Sequence, residues 1–542
     1  MSGGLAFLGG PVLTCDPRWP RTDAVAVDAG RVVATGEQAR ARARQASQVV
    51  DLGGGCLVPG FRDGHVHPLG GGELLLGPPV GGAASLEELL ERLGRWAREH
   101  PERPVVAGGG YDPTLAPAGR FDATWLDRVV PDRPALLWST DHHAVWANSA
   151  ALAAAGVDAA TPDPPGGRLL RRGDGSPLGT LLEGAADLVT PLAPPLDAGQ
   201  QAQALRHGLR ELAAAGIVWA QDAMVDGPIL ASYLDAAAAG ELTCRVGAAL
   251  VATPDTWRDR RGTFRELRAS AEAATPGPPA DAPVRASTVK LFADGVIEAG
   301  TAALLEPYLD APDSRGIPNW PRDELAEAAA AFDADGFQIH IHAIGDAGVR
   351  AALDAVEHAA AVNGPRDRRP VIAHLQLVHP DDLPRFARLG VVANFEPLWA
   401  QLDPLMLELT IPRLGPERAA RQYPIGSLAR SGARISFGSD WPVSSLTPME
   451  GLAVAVTRQT PAGHPPGGWL AAERLSLPAA LAAYTSGGAW QSFEEDTAGT
   501  ITVGKRADLA LLGADPTTLN PADLASVPVT GTWLAGTQVF GG

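Results

Sequence analysis

Eight short apolar segments recur along the chain, and most are parted by helical patterns. They are "GCLVPGFRDGHVH" (55–67), "GIVWAQDAM" (216–224), "CRVGAALV" (244–251), "ASTVKLFADG" (286–295), "FQIHIHAIGD" (337–346), "PVIAHLQLV" (370–378), "VVANFEP" (391–397) and "RISFGSDW" (434–441). The helical partners include "QQAQALRHGLRELAAAG", "LAEAAAAFDAD" and "GVRAALDAVEHAAAV". Strands that alternate with helices build βα units and a parallel sheet. Eight of them predict an α/β fold, a (β/α)8 TIM-like barrel. The catalytic face of such a barrel is the C-terminal end of its strands.

Several of these segments end in a residue able to bind a divalent ion. His65 and His67 are two positions apart, so on a strand both rings leave on one face and reach one ion. Imidazole nitrogen suits zinc and similar ions. In "GFQIHIHAIGD" the same alternation pairs His340 with His342, and only His342 adjoins the loop at Gly345. His342 is therefore the expected ligand, and His340 a supporting or packed ring. His374 closes an apolar run, and Asp440 follows a strand at a turn. Alone, each also reads as a packed core histidine, a cap or a turn residue. Lys290 stands in the middle of a buried-type strand, where an ammonium is costly unless paired. Two resolutions are open: an ion pair with Asp294 or Glu183, or carboxylation to a carbamate whose two oxygens bridge two ions.

The stretches "VPGFRDGHVHP", "STDHHAVWANSAAL", "TVKLFADG", "HIHAIGDAG", "IAHLQLVHP", "FGSDWPVSSLTPMEGL" and "GTITVGKRADLALL" together resemble the amidohydrolase superfamily. The closer resemblance is to its amidohydrolase-3, YtcJ-like branch, which is similar to N-substituted formamide deformylases. The resemblance implies a metal site of His65, His67, Lys290, His342, His374 and Asp440. On that reading His65, His67 and Asp440 hold one zinc-like ion, and His342 and His374 the other. N6-carboxylated Lys290 lies between them. Asp440 then carries the proton from the attacking water to the leaving nitrogen. The implied reaction is hydrolysis of an amide, formamide or N-acyl bond. A deaminase, an ester or lactone hydrolase, and a non-catalytic relative are the rival readings.

Residues 1–56 and 490–542 are short strands split by Gly and Asp, each end too small to bury a core alone. They predict one composite β-sandwich beside a barrel domain at 57–489. "DAVAVDAGRVVATG" is a hairpin with Asp28, Ala29 and Gly30 at the turn. About 150 residues separate the first two barrel strands, far more than a usual βα connection. Residues 70–205 are thus expected to form an inserted lid that chooses the substrate. Its His142, His143, Asn148 and Glu183 are candidate substrate-binding residues, with Trp441 from the barrel. Gln376, Glu396 and Asp222 are further candidates for the pocket wall. "TPDPPGG" and "ATPGPPADAPV" read as loops.

The formal net charge of -18 disfavours nucleic acid and anionic membranes as partners. Cys15, Cys56 and Cys244 show no CxxC spacing, so neither a thiolate zinc site nor a disulfide framework is expected. No long apolar run and no basic leader pattern stand in the sequence. A small-molecule substrate, a cytoplasmic location and a homodimer are the remaining expectations.

Overall fold

The computed structural model describes residues 4–275, 278, 281–321 and 323–541. The expected loop "ATPGPPADAPV" includes residues 276, 277, 279 and 280, which lie outside the described set.

The eight segments form one parallel sheet in chain order: β1 (Phe61–Val66), β2 (Ile217–Val225), β3 (Arg245–Val251), β4 (Val284–Phe292), β5 (Gln338–Ala343), β6 (Val371–His374), β7 (Val392–Phe395) and β8 (Arg434–Phe437). Strands covered on both faces read as continuous apolar runs, and β1, β5, β6 and β7 are buried throughout. The Asp440 N–H donates to the His65 carbonyl at 2.7 Å, and the His67 N–H to the Trp441 carbonyl at 2.9 Å. These bonds draw the C-terminal ends of β1 and β8 together, so the sheet is a nearly closed barrel. Two glycines permit the approach. A Cβ at Gly438 would lie 2.8 Å from the His65 nitrogen, and one at Gly64 would lie 2.4 Å from the Asn394 amide.

The helix Ala198–Ala214 shows why its neighbourhood folds as it does. Asp197 and Gln200 form a reciprocal capping box at its start. Leu205, Leu209 and Leu212 recur at helical spacing and join the same apolar cluster as the barrel strands. Burying each such side chain contributes roughly 1.5–3 kcal/mol.

The first barrel segment is divided differently from the expectation. Cys56–Pro59 pairs antiparallel with Leu509–Leu512, in a six-stranded sheet built from both ends of the chain, and only Phe61 onward enters the barrel. Gly60 marks the break, because a Cβ there would sit 2.4 Å from Val218. A four-stranded sheet of Leu5–Leu8, Val25–Asp28, Arg31–Thr35 and Gln48–Asp51 shares an apolar cluster with that six-stranded sheet, distinct from the barrel's, in which Phe7 meets Trp533 edge-on at 5.0 Å. Asp28 pairs with Arg31 across Ala29 (φ 47°) and Gly30 (φ 76°), both left-handed as a tight hairpin requires. Helix Gly36–Ala43 follows where only strands and turns were expected. Residues near 490 also differ from the expected division: Gln491 donates to the Gly64 carbonyl at 2.9 Å, and Glu494 pairs with buried Arg62 at 3.0 Å. They are bound to the barrel, and the C-terminal strands begin only at Leu509.

Between β1 and β2 stands a separate five-stranded sheet with two apolar clusters of its own. It carries Val106–Tyr111, Ala135–Ser139, Ala144–Ala147, Gly167–Arg171 and Pro177–Glu183. Among the described residues no helix is long and apolar enough to cross a membrane.

Candidate metal centre

The strand register staggers the expected ligands over the C-terminal halves of neighbouring strands. Lys290 on β4 pairs with His340 on β5, Phe292 with His342, and Ala343 with His374 on β6. His374 (φ 77°) and Asp440 (φ 54°) hold left-handed backbone conformations that non-glycine residues rarely adopt. Such strain persists only where the surroundings enforce it, and it clusters at functional sites.

One ligand atom each of His65, His374 and Asp440 lies within 4.8 Å of the others. This trio crosses the two expected ligand groups, since His374 joins residues assigned to the other ion. His67 Nε2 is 2.9 Å from Asp440 Oδ1, and His65 Nε2 is 3.6 Å from it. The ring of His342 lies 4.5 Å from that of His374, centre to centre. All five groups thus converge. Asp440 Oδ1 is buried and has no hydrogen-bond partner, despite its nearness to His67. Two atoms each about 2.1 Å from one ion are roughly 3.0–3.4 Å apart at ordinary angles, close to the spacing seen. The nitrogen and carboxylate donors suit a zinc-like divalent ion, and the orphaned oxygen gives it a place to bind.

Lys290 is fully buried. Its Nζ lies 3.1 Å from His65 Nε2, and no carboxylate pairs with it among the described residues. The expected ion pairs are absent: Asp294 accepts the N–H groups of Ala303, Ile344 and Gly345, and Glu183 pairs with His143. Burial pushes Lys290 down to about 7. Burial first, then crowding by neighbouring cations, holds His65, His340 and His342 well below the ordinary histidine range. Burial thus favours the neutral form of these rings, the state a metal ligand requires. Burial also opposes charge on His67, but Asp222 and Asp440 outweigh it and raise the ring to about 9.

A second layer of polar groups orients the centre. Glu396 Oε2 is 2.9 Å from His374 Nδ1, and His340 Nε2 is 3.0 Å from His65 Nδ1. Asp63 accepts from the Ser439 N–H at 3.0 Å and the Ser439 hydroxyl at 2.6 Å, tying β1 to the turn after β8. Asp222 accepts from the Tyr233 hydroxyl at 2.7 Å and stands 3.8 Å from His67 Nδ1. Asp63 was not anticipated, although it shares the period-two spacing of His65 and His67.

A cavity of about 780 Å³ opens above the centre, lined by His342, His374 and Asp440 from the barrel. The insertion contributes Thr140, Asp141 and His143 to its wall. Of the expected substrate residues, His143 reaches the cavity, and its ring lies 5.4 Å from that of His342. Burial opposes charge on His143, but Glu183, 2.9 Å away, prevails and raises it to about 9. Glu183 also accepts the Thr301 hydroxyl and stands behind the wall. His142 is exposed in the adjacent turn. Trp441 packs over Gly71, where a Cβ would meet its ring at 2.1 Å, and it does not line the cavity. Asn148 corrects the expectation most clearly. Its amide oxygen accepts from Ala135 and Ala151, its NH2 donates to Val130 and Arg133, and it caps helix Ser149–Ala154. All its bonding capacity goes to backbone, so its role is structural.

Three curated relatives align along nearly the whole chain. Protein LONG AFTER FAR-RED 3 of Arabidopsis thaliana is 29% identical, covering 99% of this chain and 91% of its own length. Putative amidohydrolase YtcJ of Bacillus subtilis is 28% identical, covering 98% of each chain. N-substituted formamide deformylase of Arthrobacter pascens is 27% identical, covering 98% of this chain and 97% of its own. Among solved structures, an uncharacterized metal-dependent hydrolase from Pyrococcus horikoshii superposes with a TM-score of 0.74 at 23% identity, covering 96% of this chain and 99% of that one. Its likeness supports the fold. The amidohydrolase family model matches residues 48–540, from the terminal sheets through the whole barrel, and the chain therefore belongs to the amidohydrolase family.

Proposed function

We propose that the protein is a metal-dependent hydrolase that cleaves a carbon–nitrogen bond of the amide, formamide or N-acyl type. The observation that carries this reading is the convergence of His65, His374 and Asp440 within 4.8 Å at the strand ends. The likeness to an N-substituted formamide deformylase supports the bond type.

A divalent ion bound here supplies a water of lowered pKa and polarises a carbonyl oxygen. His65, His67, His342, His374 and Asp440 are the residues that would hold it, and Lys290, as a carbamate, would add a further oxygen ligand. Burial favours the neutral Lys290 amine, the form that adds carbon dioxide to give the carbamate and release a proton. Asp440 serves as proton shuttle because its carboxylate both lines the cavity and stands beside His65 and His67 at the centre. It takes a proton from the water that adds to the carbonyl carbon. It then gives that proton to the nitrogen as the C–N bond breaks, leaving a carboxylate and an amine. His143, steadied by Glu183, faces the same cavity and orients the substrate. The inserted sheet, which supplies one wall, acts as the lid.

The test is a screen of N-formyl, N-acetyl and N-carbamoyl compounds with the zinc-loaded protein, read as amine release. Release that disappears on chelation and returns with zinc supports the reading. No release from any compound by fully loaded protein would refute it, and ammonia release from an aminated ring would transfer the site to a deaminase.

A further inference from the structure

The cavity wall beyond the metal centre carries a charge pattern that the hydrolytic chemistry does not use. Glu298 and Asp403 both line it. Glu298 Oε1 accepts the Thr410 hydroxyl and the Gln376 amide, and Asp403 Oδ1 accepts the Met406 N–H at 2.8 Å. These neutral donors fix the orientation of each carboxylate. The second oxygen of each has no hydrogen bond, and no Lys or Arg pairs with either among the described residues. The two charges act on one another, and Asp112 adds a third. Arg92 is the one Lys or Arg in the lining among the described residues, and Glu88 and the carbonyls of Pro79 and Gly81 already occupy it.

An independent feature lies beside the acids. Tyr423 lines the cavity and is only 2% exposed, yet its hydroxyl has no hydrogen-bond partner among the described residues. Glu298 and Asp403 both act on it electrostatically. The side chain is thus held in the wall while its hydroxyl is left for a group inside the cavity to bond. Trp399 also lines the cavity, with its ring stacked on His374 at 5.4 Å and 5°. It adds an aromatic face, which attracts cations. Like-signed carboxylates in a partly desolvated wall are costly without a counter-charge, and a bound cation supplies one.

We propose that the cavity selects substrates bearing a cationic group, an ammonium or guanidinium, remote from the bond that is cleaved, and that Glu298 and Asp403 receive it. The proposal rests on the reading above, in which this cavity is the substrate site. Anionic substrates are repelled by the same wall.

Three probes of matched length test it: N-acetyl-1,6-diaminohexane, N-hexylacetamide and 6-acetamidohexanoate. Binding to the zinc-loaded protein is measured by calorimetry, and amine release is followed in parallel. The cation is expected to bind at least about tenfold tighter than the neutral probe, the equivalent of one ion pair in a partly buried setting, with the anion weakest. In the Glu298→Gln/Asp403→Asn double variant the preference should fall to within about threefold. In the wild type it should shrink as salt rises, a measurement that does not depend on the variant folding. Equal binding of cation and neutral probe, an unchanged preference in the folded variant, or no binding of any probe overturns the proposal. Cation preference without amine release would uphold it and count against the hydrolytic reading. Amine release without cation preference would do the reverse.

Discussion

Glu396 Oε2 stands 2.9 Å from Nδ1 of His374, joining the loop after β7 to the last residue of β6. The bond occupies Nδ1 and leaves Nε2 for an ion, while Trp399 stacks on the ring. Carboxylates in this position orient a ligating histidine and raise its basicity. Glu396→Gln is therefore expected to weaken metal binding about 10–100-fold. A chelator competition titration measures this directly, and activity should recover when metal is in excess. Unchanged affinity would mean that Trp399 alone holds the ring.

Paired removal of His65 and His67 should abolish stoichiometric metal binding, because both rings adjoin Asp440 Oδ1. Elemental analysis of wild type and the His65→Ala/His67→Ala variant, purified alike, provides the comparison. Equal metal content would remove the centre from these strands.

Lys290 should react with carbon dioxide in the loaded protein. With 13C-labelled bicarbonate, a carbamate resonance is expected in the wild type and not in Lys290→Ala. A protein carrying two ions but giving no such resonance would sink the carbamate's role as a ligand.

Asp440→Asn keeps the side-chain shape but cannot carry the proton. The expected loss in kcat is on the order of 10²–10⁴-fold, and larger if an ion is lost as well. Rate and metal content measured on one preparation separate the two causes. Near wild-type turnover would assign the proton to another group, with His143 the next candidate.

Asp403 gives a pH signature of stability. Burial first, then the charges of Glu298 and Asp112, raises it to about 6 from 3.8. Below about pH 4 both folded and unfolded chains hold the proton. Between about pH 4 and 6 only the folded chain keeps it, so this group's contribution to stability falls as pH rises, and the full cost stands above pH 6. Asp403→Asn should therefore be more stable than wild type at pH 7.5, by about 1–2 kcal/mol, and no more stable near pH 4. Melting temperatures at the two pH values, with metal loading held equal, decide it. A variant destabilised equally at both would show that the Met406 N–H bond matters more than the charge.

The candidate ligands could be picked out in the sequence because they lie where local pattern is most informative. His65, His67, His342 and His374 each end or follow an apolar run, and a period of two states which face a ring leaves from. Asp440 follows a run and a glycine, the pattern of a strand entering a turn. The barrel itself follows from the alternation of apolar strands and helices, since each strand needs cover on both faces. Helix Gly36–Ala43 was missed because its few apolar positions give no helical stripe.

Local pattern could not say which side chains meet across the barrel. That His340 bonds to His65, and Glu396 to His374, depends on strand register and on closure past Gly64 and Gly438. Asn148 stood in a family-like stretch, yet its surroundings turned its amide to backbone. The division of "GCLVPGFRDGHVH" at Gly60 rests on close approach to Val218, a contact some 158 residues away along the chain. Glu298, Asp403 and Tyr423 come from separate loops, and each alone is an ordinary polar residue. Sequence determined the strands, their order and the donors at their ends, because periodicity and burial are encoded locally. Tertiary structure decided which donors share one point in space and which carboxylates face an open wall, because those are set by the stagger and closure of the whole sheet.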